Sequence, residues 1–450
     1  MTREHLGSRL GFILISAGCA IGIGNVWKFP WLAGQYGGSA FVLIYLVCLM
    51  LLGIPAVAME FAMGRASQTS PVKMYYKLEP EGTKWHWHGY ICLIGNYLLM
   101  MYYTTVAGWM ILYFLKTAGG IFTGLDEKSV SAQYDIMLQS PYQLVIAMLV
   151  IVVAGFAINA LGLQNGLERV SKVMMLALLF IMAVLAVHSI ILPGGKEGLS
   201  FYLLPDWSVV KKAGVLKTIT AAMNQSFFTL SIGMGSMAIF GSYIGKDRSL
   251  YGEAVTITAL DTFVAFTAGL IIFPACFAYG VEPDSGPSLI FRTLPNIFNH
   301  MKGGRVWGSL FFVFLTFAAF STVLAVFENI MAMTMDLHSI SRKKAGLLCT
   351  VLVSILSLPA ALGFNVLSFV HPLGKGTFLD LEDFMVSNLI LPVGTLIFVL
   401  FCTTKAGWGW DKAINEINTG KGLKMRKWMK PFCTFLMPVL IVLILLGGLI

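Results

Sequence analysis

Apolar runs of about 20 residues, the length that crosses ~30 Å of hydrocarbon as a helix, recur from one end of this chain to the other. A water-soluble domain with so many of them would have no surface left for water. The chain therefore reads as an all-α integral membrane protein. The alternating ten-residue segments of a membrane β-barrel are absent. Composition agrees: 57% of the 450 residues are hydrophobic and 12% are charged, about half the charge of a soluble protein.

Eleven transmembrane helices can be drawn, at 10–33, 39–63, 88–118, 141–161, 166–192, 214–243, 250–280, 305–336, 343–363, 378–402 and 430–450. With the N-terminus inside, 20 Lys and Arg face the cytoplasm and 10 face out, while Lys28 lies within span 1. That bias predicts a multi-pass plasma-membrane protein with a cytoplasmic N-terminus and an extracellular C-terminus. The net charge of +9 is spread over five loops, which argues against a nucleic-acid partner. The start, MTREHLGSRL, is too charged for a cleaved signal peptide, so span 1 is expected to stay as the insertion signal. The seven cysteines lie in or beside apolar stretches without a CxxC pair and read as packing residues. No soluble domain is expected. The longest polar stretches, 193–213 and 281–304, are read as extracellular loops, the second with Pro283, Gly286 and Pro287 in an ordered turn.

Two spans carry glycine clusters at mid-membrane depth. Span 1 has Gly18, Gly22 and Gly24, followed by Asn25; span 6 has Gly233 and Gly235 after Thr229 and Ser231. Each glycine costs ~1 kcal/mol in a helix interior relative to alanine. Irregular backbone at this depth is tolerated only where it lines a cavity or is buried in protein. Taken singly, either cluster could instead be a small-residue packing seam. Together they stand five spans apart, which fits two five-helix repeats of inverted topology with interrupted helices in matching positions. A broken helix presents N–H groups on one side of the break and C=O groups on the other. These suit the carboxylate and ammonium of a zwitterion, and oxygen-only clusters suit Na⁺.

Three segments carry a family resemblance: REHLGSRLGFILISAGCAIGIGNVWKFPWLAGQYGGSAF, NQSFFTLSIGMG and FAAFSTVLAVFENIMA. They resemble spans 1–2, 6 and 8 of the neurotransmitter:sodium symporter family, in its bacterial branch that carries assorted hydrophobic amino acids. The likeness runs through all eleven spans. It implies a single transporter domain over 1–450 with a 5+5 inverted-repeat core of the leucine-transporter type, broken in helices 1 and 6. Repeat one would cover about 10–192 and repeat two about 214–402, with an extra helix at about 430–450.

The resemblance also implies the site residues. A first sodium would be held by Ala20, Asn25, Thr229 and Asp261, with the substrate carboxylate. A second would be held by the carbonyls of Gly18, Ile21 and Ala318 and the hydroxyls of Ser321 and Thr322. For Ser321 and Thr322 alone, hydrogen bonding back to the preceding helical turn is the competing reading. The carboxylate would meet Ile23, Gly24 and Tyr103; the ammonium would meet Ala20, Phe228, Thr229 and Ser231. Leu99, Tyr103, Phe228, Ser231, Met234, Thr322 and Val326 would form an uncharged side-chain pocket. Lys28 and Asp383, with Phe228 and Tyr103, would gate the outside; Arg3, Ser242, Tyr243 and Asp336 would latch the inside. Tyr45, Gln225 and Thr229 resemble part of the chloride site of animal members, with Asp261 supplying the negative charge instead, so no chloride is expected. Two departures stand out: the family's twelfth span is missing, and position 176, ten residues after Gly166, is leucine where some members have proline.

Symport of hydrophobic L-amino acids, aliphatic and aromatic and including tryptophan, is the function this implies, by alternating access. The rival reading is an amino-acid sensor without net transport. An ion channel would need filter loops or charge rings, which are absent. An enzyme would need a catalytic set, and the seven histidines form no HExxH pair.

Overall fold

The computed structural model describes residues 4–280, 289–374 and 376–449. Arg3 and the turn at Pro283, Gly286 and Pro287 lie outside the described residues. Among those described, the chain is helical throughout and its only β pairings are two isolated bridges. Spans 2–5 run Ser39–Ser67, Trp87–Ala118, Pro141–Ala160 and Leu163–Ile190. Spans 7–11 run Leu250–Ala278, Gly304–His338, Arg342–Leu362, Phe378–Thr403 and Met429–Gly448. These nine are long and apolar enough to cross a membrane alone, and span 1 makes ten as a bent pair, Arg9–Ala20 and Gly24–Gln35, with 56° between its halves. Span 6 falls short of the same measure because it too is split, into Val215–Thr229 and Ser236–Gly241. Counting it as one crossing is compatible with eleven.

Local chemistry sets these ends. Ser8 caps span 1 by accepting from the Gly11 N–H, 3.0 Å away. Thr377 and Asp380 form a reciprocal capping box at the start of span 10. Gln68 closes span 2 in the left-handed conformation. The stretches expected as plain extracellular loops instead contain short helices, Gly195–Leu203, Trp207–Ala213 and Leu294–His300. The first packs on span 7 through Tyr202, whose ring occupies the space a side chain at Gly269 would need.

Span 8 is the structural axis, packed against spans 1, 3, 4, 5 and 9. Its apolar window is 72% buried, whereas that of span 11 is 28% buried and so is left mostly to lipid. Glycines let two backbones touch where span 2 crosses the second half of span 6. A Cβ on Gly64 would lie 1.7 Å from the Ala238 carbonyl oxygen, and one on Gly241 would lie 2.4 Å from that of Phe61. Neither obstacle is a side chain that could turn away. Gly64→Ala is therefore expected to fail at folding, beyond the 1–3 kcal/mol (roughly) of ordinary overpacking. Size-exclusion chromatography in detergent checks this: a monodisperse peak with the parent's thermal midpoint would contradict it.

Candidate functional site

Span 1 breaks slightly earlier than its glycines indicated. Helix ends at Ala20, Ile21 is extended (φ −73°, ψ 97°), and Ile23 is already helical. Gly22 sits at the break because a Cβ there would come within 2.5 Å of the Tyr103 hydroxyl and 2.6 Å of the Thr322 hydroxyl. Span 6 is broken by three residues at positive φ: Ser231 (50°), Gly233 (98°) and Gly235 (74°). The serine is the unexpected member, since side chains rarely adopt that region. Gly233 also serves the packing role, because a Cβ on it would meet the Leu391 carbonyl oxygen at 2.3 Å.

Buried side chains fix the span-6 break from behind. Glu60 of span 2 accepts the Gly233 N–H at 2.5 Å. Asn96 of span 3 donates to the Met234 carbonyl at 3.0 Å. Asn329 of span 8 donates to the Ser236 hydroxyl at 2.7 Å and to the Asn96 side-chain oxygen at 3.3 Å. All three are fully buried. They were not anticipated, although the rule that singles out an intramembrane carboxylate applies to Glu60 as it does to Asp261.

Two oxygen clusters flank the break. In one, Asp261 of span 7 accepts from the Asn25 amide at 2.7 Å and from the Thr229 hydroxyl at 3.1 Å to each carboxylate oxygen. The Asn25 side-chain oxygen in turn accepts the Gly22 N–H at 3.0 Å. In the other, the Thr322 hydroxyl lies 3.2 Å from the Gly18 carbonyl oxygen and 3.3 Å from that of Ile21. The Ser321 hydroxyl lies 3.3 Å from the Ile21 oxygen and 2.9 Å from that of Ala318 in its own preceding turn. Ser321 thus makes the helical back-bond and faces span 1 as well. The second set is all-oxygen, as a hard monovalent cation requires; in the first, Asp261 and Thr229 offer oxygens, while Asn25 turns its amide nitrogen to Asp261 and its oxygen to the Gly22 N–H. No group of three or more His, Cys, Asp or Glu fit for another metal occurs among the described residues.

Between the clusters lies a small, tight cavity of about 20 Å³. Ala20, Gly22 and Gly24 form its span-1 wall; Phe228, Thr229, Ser231 and Met234 form the span-6 wall. Leu99, Tyr103 and Thr322 close it from spans 3 and 8. Cys19, Val386 and Leu391 complete it, and sequence reasoning missed them. Val386 belongs to a wide π-helical turn, Met385–Ile390, and Gly24 opens another, Gly24–Lys28. Such turns are frequent at functional sites. Val326 is fully buried and is not part of the lining. No lining side chain is charged. The Ile23 N–H donates to the Tyr103 hydroxyl at 3.0 Å, and Ser231 donates to the Cys19 carbonyl at 3.2 Å.

Phe228 and Tyr103 also line a wider space of about 410 Å³ beyond them, which takes in Ile23, Lys28 and Asp383. The expected Lys28–Asp383 contact is indirect. The Lys28 amine stands 4.4 Å over the Phe228 ring and 3.5 Å from the Ser387 hydroxyl, which donates to Asp383 at 2.9 Å. Tyr102 donates to the same carboxylate oxygen at 3.0 Å. A lysine reaches the acid only as a point charge, so a ring face and a bridging serine can take the place of a forked pair.

The opposite, N-terminal side is tied together by buried and half-buried polar contacts. Asp336 accepts the Ser70 N–H at 2.7 Å, Ser242 donates to the Ile239 carbonyl at 2.6 Å, and Tyr243 donates to Glu328 at 2.6 Å. Glu328, fully buried in span 8, takes both arms of the Arg342 guanidinium at 2.6 and 2.9 Å. Arg342 also holds Glu4 at 2.9 Å, and Glu168 of span 5 binds the Gly7 N–H at 2.7 Å and the Ser8 hydroxyl at 2.8 Å. The N-terminal segment is thereby fastened to spans 5 and 9, and Arg342 links it onward to Glu328 of span 8.

Known proteins share this fold and sequence. The family model described as the sodium:neurotransmitter symporter family matches residues 3–123 and 128–450. An uncharacterized sodium-dependent transporter of Bacillus subtilis, YhdH, is 36% identical over 88% of this chain and 87% of its own. One from Haemophilus influenzae is 31% identical over 99% and 98%. The crystal structure of MhsT in complex with L-phenylalanine superimposes with a TM-score of 0.89 at 36% identity, covering 99% of this chain and 100% of that one.

Proposed function

Because this chain belongs to the sodium:neurotransmitter symporter family, and so is a sodium-dependent membrane transporter and not an enzyme, we propose that it carries hydrophobic L-amino acids, aliphatic and aromatic including tryptophan, with two sodium ions and no chloride. The observation that carries this reading is an uncharged cavity placed between two clusters of oxygen-bearing side chains and carbonyls at the breaks of spans 1 and 6. The L-phenylalanine bound by MhsT supports the substrate class.

The roles follow from helix electrostatics. The first halves of spans 1 and 6 end at the cavity with carbonyl groups, and the second half of span 1 begins there with N–H groups. Carbonyls of Ala20, Phe228 and Thr229 would receive the ammonium, with the Ser231 hydroxyl. The N–H groups of Ile23 and Gly24, with the Tyr103 hydroxyl, would receive the carboxylate. Asn25, Thr229, Asp261 and the Ala20 carbonyl would hold one sodium beside that carboxylate. Ser321, Thr322 and the Gly18, Ile21 and Ala318 carbonyls would hold the other. Sodium supplies positive charge at the breaks, and with it the driving force. A tenfold gradient gives about 1.4 kcal/mol per ion and 100 mV about 2.3, so two ions supply about 7 kcal/mol. That sustains roughly 10⁵-fold concentration of a neutral zwitterion.

In this reading the tied N-terminal side is cytoplasmic, the C-terminus is extracellular, and the wide space beyond Phe228 opens outward. Repeats of about 10–192 and 214–402 would rock against each other within one domain. Met234 gives the pocket its tolerance, since a thioether repacks around different side chains. Purified protein in liposomes should accumulate labelled leucine only with an inward sodium gradient, and excess tryptophan should displace at least 90% of it. Sodium-dependent binding without accumulation would make the protein a sensor; failure of tryptophan to compete would remove the aromatic half of the proposal.

A further inference from the structure

The most basic stretch of the chain lies outside the transport site. Residues 421–430, KGLKMRKWMK, contain Lys421, Lys424, Arg426, Lys427 and Lys430, all exposed. No acidic residue follows Glu416 in the sequence. Glu416 itself is already committed to Arg65 at 2.6 Å and to Lys246 at 3.9 Å. Among the described residues no carboxylate pairs with any of the five.

The segment is nevertheless held in place. The Lys421 N–H donates to the Asp247 carbonyl at 2.8 Å, and the Ser249 N–H donates to the Lys421 carbonyl at 2.9 Å. The Ser249 hydroxyl donates to the Leu423 carbonyl. Asn418 brackets Met425 with two bonds, accepting its N–H at 2.7 Å and donating to its carbonyl at 2.9 Å, and the Met425 side chain is buried. With Met425 turned in, its neighbours Lys424 and Arg426 are turned out.

Placement at both ends points to the partner. Ser249 immediately precedes span 7, and Trp428 immediately precedes span 11. The segment therefore runs between two membrane entry points, along the boundary itself. Its two largest exposed apolar side chains are Leu423 (61%) and Trp428 (72%). A tryptophan at that level is the usual interfacial anchor. Lys246 and Arg248, also exposed, border it from the loop between spans 6 and 7.

We propose that residues 421–430 are a docking surface for anionic phospholipid, with the five cations on headgroup phosphates and Leu423 and Trp428 set among the acyl-chain ends. Unpaired positive charge beside the bilayer is what an anionic headgroup neutralises, and the backbone bonds hold the cations in register before any lipid arrives. Lipid bound there also bears on the 247–249 loop, which joins the second half of span 6 to span 7. The surface does not depend on which leaflet it faces.

The test uses the full chain in neutral detergent, titrated with dioleoylphosphatidylglycerol or dioleoylphosphatidylcholine. Thermal midpoint and lipid retained in native mass spectrometry are the readouts. Phosphatidylglycerol is expected to raise the midpoint and to be retained; phosphatidylcholine is not. Each cation removed should weaken retention about fivefold, equivalent to ~1 kcal/mol. K421Q/K424Q/R426Q/K427Q/K430Q should abolish the difference between the lipids, and L423A/W428A should reduce it. K196Q/K211Q/K212Q/K343Q/K344Q, which removes the same charge from other exposed positions, should retain it. Molar salt should weaken it, because screening then acts within ~3 Å. Equal retention by both five-fold variants, or an equal midpoint rise with glycerol phosphate alone, would overturn the proposal. Neither readout involves uptake, so failure here leaves the transport reading intact, and the reverse.

Discussion

Asp261→Asn is expected to lower uptake in chloride-free buffer about 100-fold and to make the remainder respond to chloride. Asp261 is fully buried in span 7, and among the described residues no cation faces it; its carboxylate is held by the Asn25 amide and the Thr229 hydroxyl. A charge at such depth costs ~2.5–3.5 kcal/mol even on lenient scales. The proposed sodium beside Asn25 and Thr229 repays that cost, and the carboxylate repays the sodium's. Asparagine keeps the shape and removes the charge. Losing one partner of a buried ion pair costs about 3–5 kcal/mol, and the lower figure is roughly 100-fold at 1.4 kcal/mol per factor of ten. The Gln225 side-chain oxygen lies buried without a hydrogen-bond partner among the described residues, and the buried Tyr45 hydroxyl is within reach of Thr229 and Asp261. Tyr45 and the Gln225 amide, which now donates to the Gly24 carbonyl at 3.1 Å, could turn to a chloride once the carboxylate is gone. The parent protein, in this account, takes up substrate equally in chloride and gluconate. Parent uptake that falls in gluconate, or an Asp261→Asn variant indifferent to chloride, would sink the account.

What the sequence disclosed and what it hid divide along a physical line. Span positions were legible within a few residues, because apolar length alone sets them. The breaks were legible because glycine and polar residues at mid-depth have few other uses. Their detail was not: Gly24 is already helical, and the left-handed role falls partly to Ser231, a residue that carries no such signal in its type. The contacts that escaped join residues remote in the chain. Glu60 meets Gly233 across 173 positions, and Arg342 meets Glu4 across 338. Periodicity within one helix cannot indicate which faces of two helices will touch. Val386 and Leu391 were hidden for the same reason, since nothing in MVSNLIL marks it as facing the span-6 break. Glu60 and Glu328 could have been found: each is a carboxylate inside an apolar run, the property that drew attention to Asp261.

Gly22→Ala separates site from scaffold more sharply than any substitution of a polar ligand. The atoms that a new Cβ would crowd are the Tyr103 hydroxyl at 2.5 Å and the Thr322 hydroxyl at 2.6 Å, with no foreign backbone atom among the nearest three. Both are ends of side chains, and both can withdraw a little, so the fold should survive, unlike that of Gly64→Ala. Withdrawal is costly to function, because Thr322 faces the Gly18 and Ile21 carbonyls and Tyr103 faces the Ile23 N–H. One methyl would therefore displace a proposed sodium ligand and a proposed carboxylate ligand together. Displacing two charge-assisted hydrogen-bonding groups at about 1.5–3 kcal/mol each gives a loss of uptake of at least about 100-fold. The sodium concentration for half-maximal binding should rise at least tenfold, with a thermal midpoint in sodium-free detergent near that of the parent. Scintillation-proximity binding of labelled substrate against sodium concentration measures the first, and a thermal melt the second. Unchanged sodium dependence with normal uptake would mean that Tyr103 and Thr322 are packing residues, and the second cation cluster would lose its claim on sodium.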